Sequence, residues 1–420
     1  METPLIFSLE RDQNPLIGAI RLDGSKSISN RVLMIHALCN EAFPIRYLST
    51  SNDTVTMQQL LDSDESVLDT GPAGTTYRFL TAFYALQEGT QILTGSDRMK
   101  NRPIGPLVDA LRSIGANIQY LESEGYPPLQ IQPPTKLGMH RQVKVQAGIS
   151  SQFISALLMI APSLPSGLDV ILEGSMVSRS YLEMTLSLMS HFGVNHKWSG
   201  NTISIAAQKY RPKPFEVEGD WSAASYHYTN TVFAVSAELE LKGLFKNSWQ
   251  GDATSLDLFD RLGVQSTWTA DGVVLTKKER QVQVLDHNFI NCPDIAQTMS
   301  VVCAGLGVPG IFSGLDTLNL KETDRIKALQ TELAKIGTAF VKMPPRFRKK
   351  ERGETYLVEG KAHWTEVPVF QTYEDHRMAM AFAPLGMLNT VKIDDPAVVG
   401  KSYPGFWRDL ISLDWRIQLG

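Results

Sequence analysis

Apolar residues spaced three apart and closed by a glycine recur along the chain. Leu111/Ile114/Gly115, Met189/Phe192/Gly193, Phe259/Leu262/Gly263 and Leu333/Ile336/Gly337 all carry this phrase. The spacing marks the buried stripe of an amphipathic helix. The glycine marks its C-terminal cap, because glycine enters the left-handed conformation without a Cβ clash. A β-type run follows each glycine, then a turn at Gly125, Gly200, Gly272 or Gly353, then a second run. The predicted unit is helix–strand–strand with a period of about 74 residues, giving between five and six copies in the 420-residue chain. Met57–Leu68 and Phe406–Ile417 are weaker candidates for the outer copies. A helix feeding a hairpin buries only one face by itself, so the copies must pack together as α/β layers with helices under sheets.

Two stretches fall outside this rhythm, Ile17–Ser27 (IGAIRLDGSKS) and Phe215–Ser225 (FEVEGDWSAAS). Each runs from a strand-like segment through Asp-Gly or Gly-Asp into a serine-rich helix start. Their symmetric placement predicts two chain crossovers between two halves of three repeats. One domain is then discontinuous, 1–22 plus 221–420, with 23–220 inserted.

Composition narrows the function classes. Hydrophobic residues make up 43% and charged residues 20%, enough apolar content for a sizeable core. Forty Lys and Arg against 44 Asp and Glu give a formal net charge of −4, without the basic excess that phosphate-backbone binding needs. The basic run Arg346–Arg352 (RFRKKER) reads as a solvated hairpin tip. Cys39, Cys292 and Cys303 cannot all pair and none lies in a CxxC, which fits a reducing compartment rather than a disulfide scaffold. The start (METPLIFSLE) lacks the pattern of a signal peptide. Phe153–Pro162 is too short to span a bilayer, and Met299–Phe312 is broken by glycines and Pro309. The expectation is a cytoplasmic protein that binds neither membrane nor nucleic acid.

The candidate chemistry gathers at polar helix starts. Asp23–Arg31 (DGSKSISNR) precedes a predicted helix over Val32–Cys39, with Ser27 or Ser29 as cap and Lys26 and Arg31 adding charge. Its lack of GxxxxGK argues against a nucleotide P-loop. Thr70–Arg78 (TGPAGTTYR) places Gly74 before a predicted helix over Phe79–Leu86, a backbone-lined anion cradle or a plain turn. Pro103 biases Arg102 toward an extended conformation. Ser150-Ser151-Gln152 precedes the apolar run Phe153–Ile160. Asp294 sits in CPDIA, Lys321, Glu322 and Arg325 in LKETDRIK, and His376 and Arg377 in YEDHRMAM. Charge clusters of this kind are usually solvated, but EDHR abuts a strongly apolar helix and would lie at a core boundary. With Lys401 these positions supply at least six cationic groups beside isolated carboxylates, the chemistry of small, multiply anionic substrates and proton transfer. Nothing in the spacing of His, Cys, Asp and Glu calls for a metal.

Taken in order, DGSKSISNR, AGTTYR, RMKNRPIGPLVDALRSIGA, SSQF, PDIAQT, LKETDRI, YEDHRMAM and GKSYPGFW resemble the motifs of the 5-enolpyruvylshikimate-3-phosphate synthases, from about Gly18 to Trp407. The resemblance implies two inside-out α/β domains, each of three βαβαββ units, joined by two crossovers. It implies transfer of the enolpyruvyl group of phosphoenolpyruvate to the 5-hydroxyl of shikimate 3-phosphate with release of phosphate, by a monomer that uses no cofactor. Carried over by motif, Ser27, Arg31, Ser150, Ser151, Gln152, Ser178, Tyr181, Asp294 and Lys321 hold shikimate 3-phosphate. Lys26, Gly74, Arg102, Gln152, Arg325, Arg377 and Lys401 hold phosphoenolpyruvate. Asp294 takes the 5-hydroxyl proton, Glu322 and Lys26 handle protons at the enol carbon and the leaving phosphate, and His376 is a supporting donor.

Two positions depart from the family pattern. Pro72 and Thr317 stand where many members carry asparagine, which alters fine contacts rather than the reaction. Gly74 occupies the position at which alanine clashes with the inhibitor glyphosate, so at least partial sensitivity is expected. The alternatives are the sister enzyme that transfers enolpyruvyl to UDP-N-acetylglucosamine and a non-catalytic anion-binding paralogue. The first carries a loop cysteine that Gly95–Pro106 lacks. The second is disfavoured by Lys26, Asp294, Glu322 and Lys401.

Overall fold

The computed structural model describes residues 5–39, 41–134, 136–138, 140–348 and 353–420. The chain divides into two compact units, Gly24–Val217 and Met1–Asp23 with Glu218–Gly420. Glu218 is tied into the second by its buried carboxylate, which accepts from Trp221 Nε1, Ser248 Oγ, Gln250 Nε2 and the Phe245 amide.

One repeat illustrates the others. The strand Leu285–Asn288 runs parallel to Gly310–Ser313, with the helix Ala296–Leu306 between them in sequence. The helix Arg325–Ala334 then leads into an antiparallel hairpin, Ala339–Lys342 and Thr355–Glu359, whose second strand returns beside Gly310–Ser313. This βαβαββ order recurs. Among the described residues, the unit Gly24–Val217 holds two four-stranded sheets and a parallel pair, Ile45–Arg46 with Phe215–Glu216, and the other unit holds three four-stranded sheets. The N-terminal residues complete two of these. Leu16–Arg21 pairs parallel with Ala237–Lys242, and Ile6–Glu10 lies between Val391–Asp394 and Arg416–Leu419. The candidate copy Phe406–Ile417 is therefore finished by the opposite end of the chain. The other candidate, Met57–Leu68, differs from expectation: the helix is Asn52–Leu61, and Val67–Asp69 opens the next repeat instead of forming a hairpin.

The four glycines of the repeat phrase are all left-handed, with φ of +102° at Gly115, +83° at Gly193, +106° at Gly263 and +70° at Gly337. The basic run begins in the connection after Ala339–Lys342; its residues 349–352 lie outside the described part.

In each unit one helix per repeat is buried on nearly every side and packs at the centre. In Gly24–Val217 these are α1 (Lys26–Leu38), α2 (Gly74–Tyr84) and α3 (Ser151–Ile160). In the other unit they are α4 (Trp221–Phe233), with every residue buried, α5 (Ala296–Leu306), and, beyond α6 (Arg325–Ala334), α7 (His376–Phe382), again wholly buried. A helix buried all round belongs inside a core, so the sheets lie outside these helices. The strands alternate accordingly, as in Gln142–Gln146, where only Val143 and Val145 are buried. No helix among the described residues is long and apolar enough to cross a membrane.

Candidate active site

The central helices begin earlier than their apolar patterning indicates. Helix α1 starts at Lys26 rather than Val32, with Ser25 in the cap position, so Ser27 and Ser29 lie inside the helix. Helix α2 starts at Gly74 rather than Phe79, and α3 at Ser151. Only Ser150 caps α3, accepting from the Gln152 amide. Free N–H groups and the helix dipole make such first turns favourable for anions.

In the unit Gly24–Val217 the polar first turns meet. Arg31 is fully buried and donates to Thr185 Oγ1 at 2.7 Å, the Ser27 carbonyl at 2.8 Å and Ser155 Oγ at 3.2 Å. Its guanidinium also lies over the rings of Phe79 and Tyr181, at 5.5 and 5.8 Å. No carboxylate among the described residues pairs with it, and burial lowers its pKa to about 10. A buried cation without a counter-ion is costly, and an anionic ligand would offset that cost. Gln152 joins α3 to α2 by accepting from Arg78 at 2.9 Å and donating to Thr75 at 3.0 Å. Lys26 lies 3.5 Å from Asp53. Ser178 is the left-handed residue ahead of the helix Arg179–His191, which carries Tyr181 and Thr185. At Gly74 an added Cβ would come within 2.5 Å of Arg102 Nη1 and 2.6 Å of Arg78 Nη1. Two guanidinium groups therefore press against the α2 N-terminus because that residue has no side chain. Pro72 is exposed in the turn just before, after the left-handed Gly71, and Thr317 precedes the short turn Leu318–Leu320.

The other unit collects carboxylates as well as cations. Arg325, 1% exposed, donates to Asp375 at 2.7 Å, Glu322 at 2.9 Å and Asp294 at 3.2 Å. Burial would lower its pKa, but the three carboxylates outweigh burial and raise it. Asp294 also faces Arg377 at 3.1 Å and Lys321 at 3.5 Å, and Glu322 faces Lys401 at 3.4 Å. Asp375 caps α7 by accepting from the Arg377 amide at 2.9 Å, and its carboxylate lies 3.7 Å from His376 Nδ1. Arg377 reaches the Tyr226 hydroxyl at 3.4 Å. Behind them Asp252 accepts from Ser222 Oγ; burial first, and the charge of Asp294 second, push its pKa up to about 7.

Every candidate residue read from the sequence thus falls into one of two constellations. Lys26, Ser27, Arg31, Gly74, Arg102, Ser150, Ser151, Gln152, Ser178 and Tyr181 belong to one unit. Asp294, Lys321, Glu322, Arg325, His376, Arg377 and Lys401 belong to the other. Asp53, Arg78, Ser155, Thr185, Tyr226, Asp252 and Asp375 join them without having been assigned a role. Two of these had a local signal: Arg78 lies one turn after Gly74 on α2, and Asp375 stands in the cap position of EDHR. No group of three or more His, Cys, Asp or Glu side chains among the described residues could hold a metal ion.

A profile of the EPSP synthase (3-phosphoshikimate 1-carboxyvinyltransferase) family matches residues 58–410. The chain is 45% identical over 409 residues to the 3-phosphoshikimate 1-carboxyvinyltransferase of Bacteroides fragilis (strain YCH46), covering 96% of each chain. It is 36% identical over 433 residues to the enzyme of that name from Photobacterium damsela subsp. piscicida, covering 95% of this chain and 97% of the other. In fold it is similar to the EPSP synthase of Acinetobacter baumannii, with a TM-score of 0.75 at 19% identity over 99% of this chain and all of that one. With the profile spanning most of its length and near-full-length relatives above 30% identity, the chain belongs to the EPSP synthase family.

Proposed function

We propose that the protein transfers the enolpyruvyl group of phosphoenolpyruvate to the 5-hydroxyl of shikimate 3-phosphate and releases inorganic phosphate. The observation that carries this reading is the contrast between the two constellations in a member of this family. One holds a buried guanidinium with no carboxylate partner among the described residues, and the other sets Asp294 and Glu322 among four cations.

Arg31, with Ser27, Ser150, Ser151, Gln152, Ser178 and Tyr181, binds shikimate 3-phosphate in this reading, and Asp294 and Lys321 bind its ring hydroxyls. Lys26, Arg102 and Gln152, beside Gly74, are the phosphoenolpyruvate ligands of one unit in this reading, and Arg377, Lys401 and Arg325 are those of the other. Arg325 is already engaged by three carboxylates; it reaches the substrate by exchanging its contacts to Asp294 and Glu322, while Asp375 keeps hold of it.

The proton steps follow from charge. Asp294 accepts the proton of the 5-hydroxyl as its oxygen bonds to C2 of phosphoenolpyruvate. Glu322 takes up a proton once Arg325 has exchanged its contact for the substrate, and passes it to the methylene carbon, giving a tetrahedral intermediate that carries the phosphate. Glu322 then recovers a methyl proton as the C2–O bond to phosphate breaks and the enol ether re-forms, with Lys26 protonating the leaving phosphate. A positioned base of this kind contributes about 10²–10⁴-fold, and fixed cations stabilise the charge that develops on carboxylate and phosphate. His376, buried beside Asp375, supports the site as a donor.

The same reading makes the protein a glyphosate target through Gly74 and places it in the cytoplasm as a monomer of the shikimate pathway. Its three free thiols accord with a reducing compartment. Phosphorus NMR of a mixture with both substrates tests the reaction. A new phosphate-monoester resonance, distinct from that of shikimate 3-phosphate, rising in step with inorganic phosphate is expected. Inorganic phosphate without the new resonance would mean simple hydrolysis and would overturn the reading.

A further inference from the structure

Ahead of α7 the backbone does something side chains rarely allow. Tyr373 and Glu374 are consecutive, neither is glycine, and both have φ of +55°. They lead directly into Asp375, His376 and Arg377. A pair of left-handed residues with side chains persists only where the surroundings hold it. The holder is Glu332. Its side chain is fully buried on α6, and its carboxylate accepts from the Tyr373 hydroxyl at 2.7 Å and the Gln371 amide at 3.0 Å. Lys335, 2.6 Å from the same carboxylate, supplies the counter-charge and also donates to the Val369 carbonyl at 2.8 Å. Burial, with Glu332 as acceptor, pushes the Tyr373 phenol up to about 12, so it remains a donor at neutral pH.

Seven residues earlier on the same helix, and so on the same face, Arg325 grips Asp375. One face of α6 thus holds the 371–377 segment at two points, one on each side of the left-handed pair. We propose that Glu332, through Tyr373 and the Gln371 amide, is a positioning residue for enolpyruvyl transfer. It stabilises the bend that aims Arg377 and the Asp375 cap, without itself touching either substrate. This inference rests on the activity proposed above.

Steady-state kinetics with both substrates, on the full chain, test it. Wild type comes first: if it fails to turn over, the proposed activity fails and not this inference. Tyr373→Phe removes one arm at a half-exposed position, and Glu332→Gln removes the charge both arms share. Each variant should raise KM for phosphoenolpyruvate and lower kcat, together by about tenfold or more in kcat/KM, the order expected when a binding group shifts by a fraction of an ångström. Affinity for shikimate 3-phosphate, measured by titration calorimetry, should fall at least about threefold less than that for phosphoenolpyruvate, because its phosphate contacts lie in the other unit and only Asp294 and Lys321 reach it from this one. Adding Glu374→Gly to Glu332→Gln should then recover at least about threefold of the lost kcat/KM, because glycine adopts the left-handed bend without the clamp. Wild-type-like kinetics in Tyr373→Phe and Glu332→Gln would overturn the proposal. So would equal losses for both substrates with no rescue by glycine, which mark a structural role only.

Discussion

Replacing Gly74 with alanine adds one methyl group at the most crowded point of the anion-binding first turns. The new Cβ would lie 2.5 Å from Arg102 Nη1, 2.9 Å from Arg102 Cζ and 2.6 Å from Arg78 Nη1. Ordinary contact needs about 3.4 Å or more, so the guanidinium groups must retreat by nearly 1 Å. They do not yield equally. Arg78 is fixed at 2.9 Å to both the Gly74 carbonyl and Gln152 Oε1, whereas Arg102 has no ion-pair partner among the described residues and gives way. A displacement of about 1 Å in a positioned group can lower rate or affinity by as much as 10²-fold. Gly74→Ala should therefore raise KM for phosphoenolpyruvate by about 10–100-fold, or about 1.4–2.7 kcal/mol. Affinity for shikimate 3-phosphate should be nearly unchanged, because Arg31 is not displaced. Glyphosate inhibition should weaken by at least the same factor. The assay is steady-state phosphate release at saturating shikimate 3-phosphate with varied phosphoenolpyruvate, with and without the inhibitor. A KM within twofold of wild type would refute the crowding argument.

Three other outcomes are expected. Asp294→Ala should cut kcat by about 10²-fold or more while shikimate 3-phosphate still binds; a loss below about tenfold in single-turnover measurements would remove Asp294 as the base. Arg325→Met should destabilise the protein by about 3–5 kcal/mol in urea denaturation, because Asp375, fully buried, loses its bidentate partner; a change under about 1 kcal/mol would contradict the role assigned to that cluster. Stability against pH separates two buried groups of opposite sign. Asp252, raised by burial to about 7, holds its proton more tightly when folded, so its contribution is complete below about pH 4 and is lost as pH rises through 7. His227, lowered by burial to about 4, contributes fully above about pH 6.5 and loses that contribution as pH falls through 4. Asp252 is worth at most about 4–5 kcal/mol and His227 at most about 3–4 kcal/mol, and between pH 4 and 6.5 they oppose one another. Relative to wild type, Asp252→Asn should lose stability on acidification across that window and His227→Gln should gain it; parallel curves would refute both assignments.

How much of this was legible before any coordinates depends on which residues carry the signal. The repeat was readable because a helix must end, and Gly115, Gly193, Gly263 and Gly337 end theirs in a conformation only glycine enters freely. Helix starts were not. The first two turns of α1 and α2 carry Ser29, Asn30, Arg31, Thr76 and Arg78, which are polar yet buried. An apolar stripe therefore appears to begin at Val32 or Phe79, a turn or more late. The same substitution of polar for apolar hides function. Asp53 is 3% exposed yet lies ahead of the candidate copy Met57–Leu68, where no motif marks it, and Glu332 sits beside the stripe residue Leu333 like any surface glutamate. Their partners, Lys26 and Tyr373, lie 27 and 41 residues away, beyond the reach of local pattern. Motif likeness indicated Asp294, Glu322 and Arg325 as site residues, but not that three carboxylates surround Arg325. The contribution of Ile6–Glu10 to the sheet holding Val391–Asp394 is likewise a matter of topology, with no sequence mark.

The central claim is the identity of the acceptor, and acceptor-dependent phosphate release tests it most directly. The purified full chain is given saturating phosphoenolpyruvate with shikimate 3-phosphate, and separately with UDP-N-acetylglucosamine. The account predicts continuous turnover with the first acceptor and background with the second. No release with shikimate 3-phosphate, or release only with the nucleotide sugar, would contradict it.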